Sequence, residues 1–145
     1  VVVVVYTTAG ETLLLERLQP VFWQSVTGSL EWPNETPEDA ARREVYEETG
    51  IEAAAGWIDW KISRYFPILS AYRDRFAPGT RVNHEHMFSL QLPEPRPVNL
   101  MREEHSDNEW LPLTTGRDRV WSWTNRAALD QVAALRARER TDVTS

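Results

Sequence analysis

Residues 28–51 read GSLEWPNETPEDAARREVYEETGI, and this stretch combines a glycine turn with one clearly bounded helix. Thr36 is a favourable N-cap residue and Pro37 suits the first helical position, so the helix is predicted to begin at Pro37. Thr49 followed by Gly50 predicts its end, because glycine readily adopts the left-handed conformation that closes a helix. We therefore expect a helix over residues 37–49.

The predicted helix carries three glutamates, Glu44, Glu47 and Glu48, within about 100° of its circumference. Carboxylates placed so closely repel each other, and a bound cation would remove that repulsion. Alanine and valine residues share much of this side, so we expect it to face the core. Oxygen ligands, in a chain without cysteine, favour a hard ion such as Mg²⁺. The alternative is an acidic face in solvent, with Arg43 and Glu47 forming an i,i+4 ion pair.

Gly28, Glu35 and the segment REVYEETGI at 43–51 stand in an order that resembles the signature of Nudix hydrolases. That signature is glycine, five residues, glutamate, seven residues, then Arg-Glu-aliphatic-x-Glu-Glu-x-Gly-aliphatic. From Glu35 onward the match has no departure, whereas six residues rather than five separate Gly28 from Glu35. The extra residue falls in a Trp-Pro-Asn loop, where an insertion is easily absorbed and leaves the helix spacing unchanged.

Three further motifs are FWQSVTGS at 22–29, RFAPG at 75–79 and SWTNR at 122–126. They resemble the bacterial dihydroneopterin triphosphate diphosphatases of folate synthesis, a group also described as dATP pyrophosphohydrolases. This resemblance implies Mg²⁺-dependent hydrolysis, with Mn²⁺ as a substitute, of 7,8-dihydroneopterin triphosphate to the monophosphate and pyrophosphate. The alternative substrate is a nucleoside triphosphate such as dATP or an oxidised nucleotide. A catalytically silent ligand sensor is disfavoured, because such versions usually lose a box glutamate and this chain keeps all three.

The metal chemistry is expected on the predicted helix and on one later glutamate. Glu44 and Glu48, one helical turn apart, are the best candidate metal ligands, and family analogy adds the carbonyl of Gly28. Glu47 is a further ligand or the catalytic base. The resemblance places Glu104 at a metal-binding position, which makes it a candidate ligand and the other candidate base. The sequence does not decide between Glu47 and Glu104 as the base.

The resemblance implies that Arg43 belongs to the catalytic machinery as the residue that positions the glutamates, and that it does not touch substrate. Glu35 is expected to support the loop or an outer-shell ion. His105 is a candidate for a hydrogen bond to phosphate or for support of the neighbouring glutamate. His84 and His86 share one face of a strand, and we interpret them as structural because a zinc pair would need further partners.

The candidate substrate contacts also come from the resemblance, and each has a structural alternative. Arg17 ends the second predicted strand and is alternatively a surface charge. Thr27 could offer its hydroxyl to phosphate or ring, and Ser122 alternatively caps the helix that follows it. Trp23 could stack on a flat pterin or purine, or simply fill the core. The remaining candidates, which match a substrate-lining segment in position, are Phe66, Ile68 and Leu69.

The rest of the pattern predicts a single domain over residues 1–145. Strands are expected at 1–6, 12–17, 22–27, 56–66, 86–92, 97–101 and 109–111, and a second helix at 124–138. A polar loop is expected at 73–83 and a loose tail at 140–145. This pattern predicts an α/β fold, a Nudix-like α/β/α sandwich with a mixed sheet between helices.

Composition excludes several other classes. The chain has 145 residues, 41% of them hydrophobic, and a net charge of −6, which argues against general nucleic-acid binding. No run reaches the ~18 apolar residues of a membrane span, so no membrane partner is expected. We expect a cytoplasmic monomer that acts on a small triphosphate, and the absence of cysteine is compatible with that compartment. The chain starts inside a predicted strand without an initiator Met, so a few preceding residues are expected.

Overall fold

The computed structural model describes residues 1–18, 21–31, 34–67, 82–100 and 105–144, and within these ranges four strands precede the first helix, three more follow it, and two helices come last. The strands are β1 (Val2–Thr7), β2 (Glu11–Arg17), β3 (Phe22–Gln24), β4 (Val26–Thr27), β5 (Trp57–Pro67), β6 (Val82–Leu92) and β7 (His105–Pro112). The helices are α1 (Pro37–Thr49), α2 (Leu113–Arg119) and α3 (Trp123–Thr144). No helix in these ranges is long and apolar enough to cross a membrane.

The strands form one mixed sheet with the order β3-β2-β1-β6-β5. β1 and β6 are parallel, with Val2 opposite Met87 and Thr7 opposite Leu92. The other pairs are antiparallel, including β4 on β1 and β7 on β2. The pairing of β4 with β1 brings Gly28 to the start of β1, where the Gly28 N–H donates to the Val1 carbonyl at 3.1 Å.

The valine run of β1 lies at the centre of two cores. Val3 and Val5 pack with α1 on one side of the sheet, which we call the α1 face. Val2 and Val4 pack with α3 on the other side, the α3 face. A strand covered on both sides is continuously apolar, which explains the unbroken hydrophobic run. The predicted α/β/α sandwich is confirmed.

Local signals set the limits of α1, as the sequence predicts. The hydroxyl of Thr36 accepts from the N–H of Asp39 at 3.1 Å and caps the start of the helix. Gly50 has φ of 75°, and its N–H donates to the carbonyl of Tyr46 at 2.8 Å. The predicted helix from Pro37 to Thr49 is therefore confirmed at both ends.

Several other elements differ from their predicted form because contacts between distant segments determine them. The single strand expected at 22–27 is broken at Ser25, because its N–H donates to the side chain of Asn125 at 2.9 Å. The strand expected at 97–101 is wrong for its described residues: the N–H of Asn99 donates to the carbonyl of Thr49 at 2.8 Å instead of pairing with a strand. Met101 lies outside the described residues.

Three elements are longer than predicted and one is additional. β6 already begins at Val82, inside the expected polar loop, and β7 begins at His105. Helix α2 was not predicted, because Pro112 and Gly116 signal a turn and not a helix. Helix α3 continues to Thr144 and so includes residues 140–144, which were predicted as a loose tail. Helix-favouring alanines and arginines precede that end and carry the helix onward.

Candidate active site

Gly28 lies directly against the side chain of Glu44. A methyl group added at Gly28 would overlap the terminal carbons and one carboxylate oxygen of Glu44. The glycine therefore allows the turn after β4 to approach α1 closely, beside the carboxylate of Glu44. The extra residue in the loop before Glu35 has not displaced this contact.

Arg43 holds three glutamates with one guanidinium group. It makes two hydrogen bonds with Glu35, from Nε at 2.6 Å and from Nη2 at 2.8 Å. Its Nη1 donates to Glu44 at 2.8 Å and to Glu47 at 3.0 Å, and Nη2 also donates to the carbonyl of Ser29 at 2.8 Å. The i,i+4 pair of Arg43 and Glu47 thus exists, but it is one part of a larger network that joins the loop to α1.

This network shifts the ionisation of its members in opposite directions. The hydrogen bonds from Arg43 lower the pKa of Glu35, and the same bonds raise the pKa of Arg43 further above its ordinary value. Burial raises the pKa of Glu44, and the nearby charge of Arg43 offsets only part of that effect. Glu44 is therefore a carboxylate whose charge is incompletely compensated by the protein, as expected of a metal ligand.

The other box glutamates differ in exposure. Glu48 is 2% exposed, which agrees with the prediction that this side of α1 faces the core. The side chain of Glu47 is 40% exposed, so the prediction is wrong for this residue. Glu47 lies at the rim of the site, where water can reach it.

His105 and Arg17 are buried on the same side of the sheet as Glu48. Nε2 of the fully buried His105 lies 3.9 Å from a carboxylate oxygen of Glu48. Arg17 pairs with His105 across β2 and β7 and is 8% exposed, so its interpretation as a surface charge is wrong. By strand alternation Arg17 shares the α1 face with Leu15. It lies where an anion beside Glu48 could be met by a positive charge.

The described donors suit a hard divalent cation. Glu44, Glu48 and the Gly28 carbonyl offer only oxygen atoms, which Mg²⁺ and Mn²⁺ accept. No three acidic or histidine side chains within the described ranges converge on one point. Glu104, the predicted further ligand, lies outside the described residues, immediately before β7.

Two candidate substrate residues lie on the opposite face of the sheet. Thr27 pairs with Val2 and therefore points to the α3 face. Ser122 lies at the start of α3, where its hydroxyl accepts from the N–H of Asn125 at 3.3 Å. The capping role considered for Ser122 therefore exists. Its hydroxyl also lies 2.7 Å from that of Thr124.

Aromatic side chains surround the start of α3. Trp23 packs against the core of the α3 face, and the guanidinium of Arg119 lies 5.3 Å from the centre of its ring. Trp121 and Trp123 are 43% and 52% exposed, so neither serves mainly as a core residue. The ring of Trp121 meets Phe22 edge-on at 5.1 Å. This region offers flat apolar surface beside polar hydroxyl groups.

The two histidines of β6 belong to an aromatic stack. His84 stacks on Tyr65 with ring centres 4.2 Å apart, and His86 lies 4.4 Å from His84. Their rings thus contact neighbouring rings, as expected of structural residues. Of the predicted substrate-lining segment, Ile68 and Leu69 lie outside the described residues, and for Phe66 only the backbone in β5 is described.

Glu85 and Asn125 are buried polar residues that the sequence does not predict as site residues. Glu85 is a buried carboxyl in β6, and the side chain of Asn125 bonds both the N–H and the hydroxyl of Ser25. Glu85 precedes the strand predicted at 86–92, and which face of β6 α3 covers depends on strand pairing. The Asn125 bond spans 100 residues of sequence, and no local pattern signals it.

Comparison with known proteins agrees with this geometry. The family model described as NUDIX domain matches residues 1–131. The chain is 40% identical over 136 residues to the dihydroneopterin triphosphate diphosphatase of Escherichia coli, covering 90% of this chain and 89% of that protein. It is 33% identical over 134 residues to the Haemophilus influenzae protein of the same name, covering 89% and 83%. The structure of the E. coli dihydroneopterin triphosphate pyrophosphohydrolase has a TM-score of 0.83 and covers 90% of each chain.

Proposed function

The chain belongs to the Nudix hydrolase family, and from that premise we propose that it converts 7,8-dihydroneopterin triphosphate to the monophosphate and pyrophosphate. The contact between Gly28 and Glu44, with Arg43 fixing the glutamate, is the observation that carries the proposal. It holds the turn at Gly28 against a carboxylate at the place where a triphosphate needs a cation. Relatives named for this reaction match most of the chain and supply the substrate.

Nudix hydrolases generally need a divalent metal, and the donors of this site fit Mg²⁺, with Mn²⁺ as a substitute. Glu44, Glu48 and the Gly28 carbonyl would hold it, together with Glu104. When bound, it would neutralise phosphate charge and lower the pKa of a coordinated water. The oxygen-only donor set and the raised pKa of Glu44 support this assignment.

The protein's own residues position the reacting groups. Arg43 fixes the side chains of Glu44 and Glu47 by hydrogen bonds, and this positioning role does not require Arg43 to contact the substrate. Arg17 offers its charge to the phosphates from the α1 face. A water that attacks phosphorus must lose a proton, and Glu47 or Glu104 accepts it. Pyrophosphate then leaves with the electron pair of the broken P–O bond, and the pterin keeps one phosphate.

We place the phosphates and the ring on different sides of the sheet. Glu48 and Arg17 belong to the α1 face, whereas Thr27 and Ser122 belong to the α3 face. A substrate that contacts both groups crosses the end of the sheet at Gly28. In this arrangement the tryptophans around the start of α3 surround the pterin ring, and Trp23 is the candidate for stacking on it.

The test of the substrate is product analysis with dihydroneopterin triphosphate and Mg²⁺, beside dATP under the same conditions. We expect pyrophosphate and the pterin monophosphate, with a kcat/KM that clearly exceeds the value for dATP. Pyrophosphate from dATP alone would support the proposed hydrolysis but show that the substrate is a nucleotide and not the pterin. Pyrophosphate from neither would contradict the proposed function.

The test of the metal site is Glu48→Gln. The amide cannot replace a buried carboxylate as an anionic ligand, so we expect kcat to fall more than about 100-fold at saturating Mg²⁺. Glu38→Gln is the matched control, because Glu38 is an exposed glutamate of the same helix. Equal turnover of the Glu48 variant and the native protein would remove Glu48 from the metal site.

A further inference from the structure

Glu85 is a buried carboxyl far from the box helix in sequence. It is 8% exposed and lies in β6 on the α3 face, two residues before the core residue Met87. Its antiparallel neighbour in β5 is Arg64, whose side chain shares that face. A charged group that is withdrawn from water lowers stability unless other groups compensate it.

The neighbours of Glu85 connect it with the expected ring site. Burial raises the pKa of its carboxyl, and the hydroxyl of Thr124, the charged amino group of Val1 and the charge of Arg64 oppose that effect only in part. The hydroxyl of Thr124 lies 2.7 Å from that of Ser122, a candidate substrate contact. Ser122, Thr124 and Glu85 thus form one polar line from the start of α3 to the sheet.

The polar line places a buried carboxyl beside the core of the α3 face. An apolar side chain at position 85 would continue the core that Met87 begins and would avoid burying a carboxyl. A carboxyl at a buried strand position, where an apolar side chain is the norm, is typical of functional positions. Trp121 and Trp123 flank Ser122 in the chain and are both exposed, so they offer aromatic surface to a flat ligand at the start of α3.

We infer that Glu85 recognises the ring of the substrate by accepting hydrogen bonds from a 2-amino group and the adjacent ring N–H. The 2-amino-4-oxo pyrimidine ring of pterins and guanine presents these two donors side by side, and a carboxylate offers two acceptor oxygens. Adenine presents an acceptor nitrogen beside its amino group, so the same carboxylate disfavours it. This inference rests on the proposed function, because that function places the ring on the α3 face.

The experiment measures ring binding separately from catalysis. Neopterin, guanosine and inosine are titrated against the metal-free protein, with tryptophan fluorescence as the signal. We expect Glu85→Gln to bind neopterin and guanosine about 10- to 100-fold more weakly than the native protein. Inosine lacks the 2-amino group, so the native protein should prefer guanosine about 10-fold and the variant should lose that preference. With the triphosphate, KM should rise more than kcat falls.

The control is Glu11→Gln, the same change at the other end of the sheet, where Glu11 faces Pro112. It should leave all three affinities unchanged. Native and Glu85→Gln are compared by circular dichroism, and the native ratio of guanosine to inosine binding needs no variant. A native protein that does not distinguish guanosine from inosine overturns the inference, as does an unchanged ratio in Glu85→Gln.

Failure of this inference is distinguishable from failure of the proposed function. Native turnover of dihydroneopterin triphosphate, together with ring affinities that do not depend on Glu85, overturns the inference and leaves the function. Loss of guanosine binding in Glu85→Gln, in a protein that does not hydrolyse the pterin triphosphate, supports the inference and overturns the function.

Discussion

At the scale of single residues, Gly28 is where one added methyl group should disturb the metal site. Gly28→Ala would push on the carboxylate of Glu44, which Arg43 holds in place. Since a displacement of about 1 Å can cost about 100-fold in rate, we expect kcat/KM to fall about 10- to 100-fold. The Mg²⁺ concentration needed for half-maximal activity should rise. Ser29→Ala, a change at the exposed neighbouring residue, is the control. Unchanged Mg²⁺ dependence in Gly28→Ala would show that the close contact is not needed.

Loss of the negative charge should change the stability of the fold in opposite directions at Glu35 and Glu44. The lowered pKa of Glu35 means that its bond to Arg43 stabilises the fold above the ordinary glutamate pKa of about 4.3, and that this stability is lost as the pH falls through the lowered pKa. The raised pKa of Glu44 means that ionisation destabilises the fold, a cost that is absent in acid and complete above the raised pKa.

Urea unfolding of metal-free protein at pH 7 and at pH 3 measures both effects. At pH 7 we expect Glu35→Gln to be less stable than the native protein by about 1–2 kcal/mol, and Glu44→Gln to be more stable. Both differences should shrink at pH 3. Destabilisation by Glu44→Gln at pH 7 would mean that its bond to Arg43 outweighs its burial. A more stable but inactive Glu44 variant would show that the site retains a carboxylate at the expense of stability.

At the scale of elements, the start of α1 can be tested on its own. Thr36→Ala removes the side-chain acceptor for the N–H of Asp39, and we expect the free energy of unfolding to fall by about 1 kcal/mol. Thr115→Ala, at an exposed threonine within α2, should change it by less than about 0.5 kcal/mol. Turnover at 25 °C should remain near native for both, since neither touches the glutamates. Equal stability of the two variants would contradict the capping role.

The sequence predicts an element well when local signals decide its ends. Helix α1 has its cap, its first-turn proline and its closing glycine within the helix and its flanks, so its limits could be predicted. The break at Ser25 and the absence of a strand at 97–100 depend on partners far along the chain. Asn99, for example, bonds to the end of α1, and no periodicity of its own segment indicates that.

At the scale of the whole molecule, pairing of the strands decides which side chains meet. The placement of Glu44, Glu47 and Glu48 on one helix could be predicted because local signals set the limits of that helix. The sequence could not predict that Thr27 and Arg17 lie on opposite faces of the sheet, because the face of Thr27 depends on how β4 pairs with β1. The burial of Glu85 could not be predicted either, because Glu85 precedes the strand expected at 86–92 and the buried face of a strand depends on its pairing.

The bond between Asn125 and Ser25 joins the two halves of the proposed ring site and should couple stability to substrate affinity. Asn125 accepts from the Ser25 N–H at 2.9 Å and donates to its hydroxyl at 2.9 Å, which ties the start of α3 to the strand that precedes Thr27. Asn125→Ala leaves two buried polar groups without these partners, so we expect a loss of about 2–3 kcal/mol in urea unfolding. Because Thr27 and Ser122 should then shift relative to each other, KM for the triphosphate should rise while the Mg²⁺ dependence stays native. The control is Arg117→Ala, which removes an exposed 2.8 Å ion pair to α3 and should cost less than about 1 kcal/mol with unchanged KM. If Asn125→Ala lost stability but kept its native KM, the bond would hold the fold together without shaping the ring site.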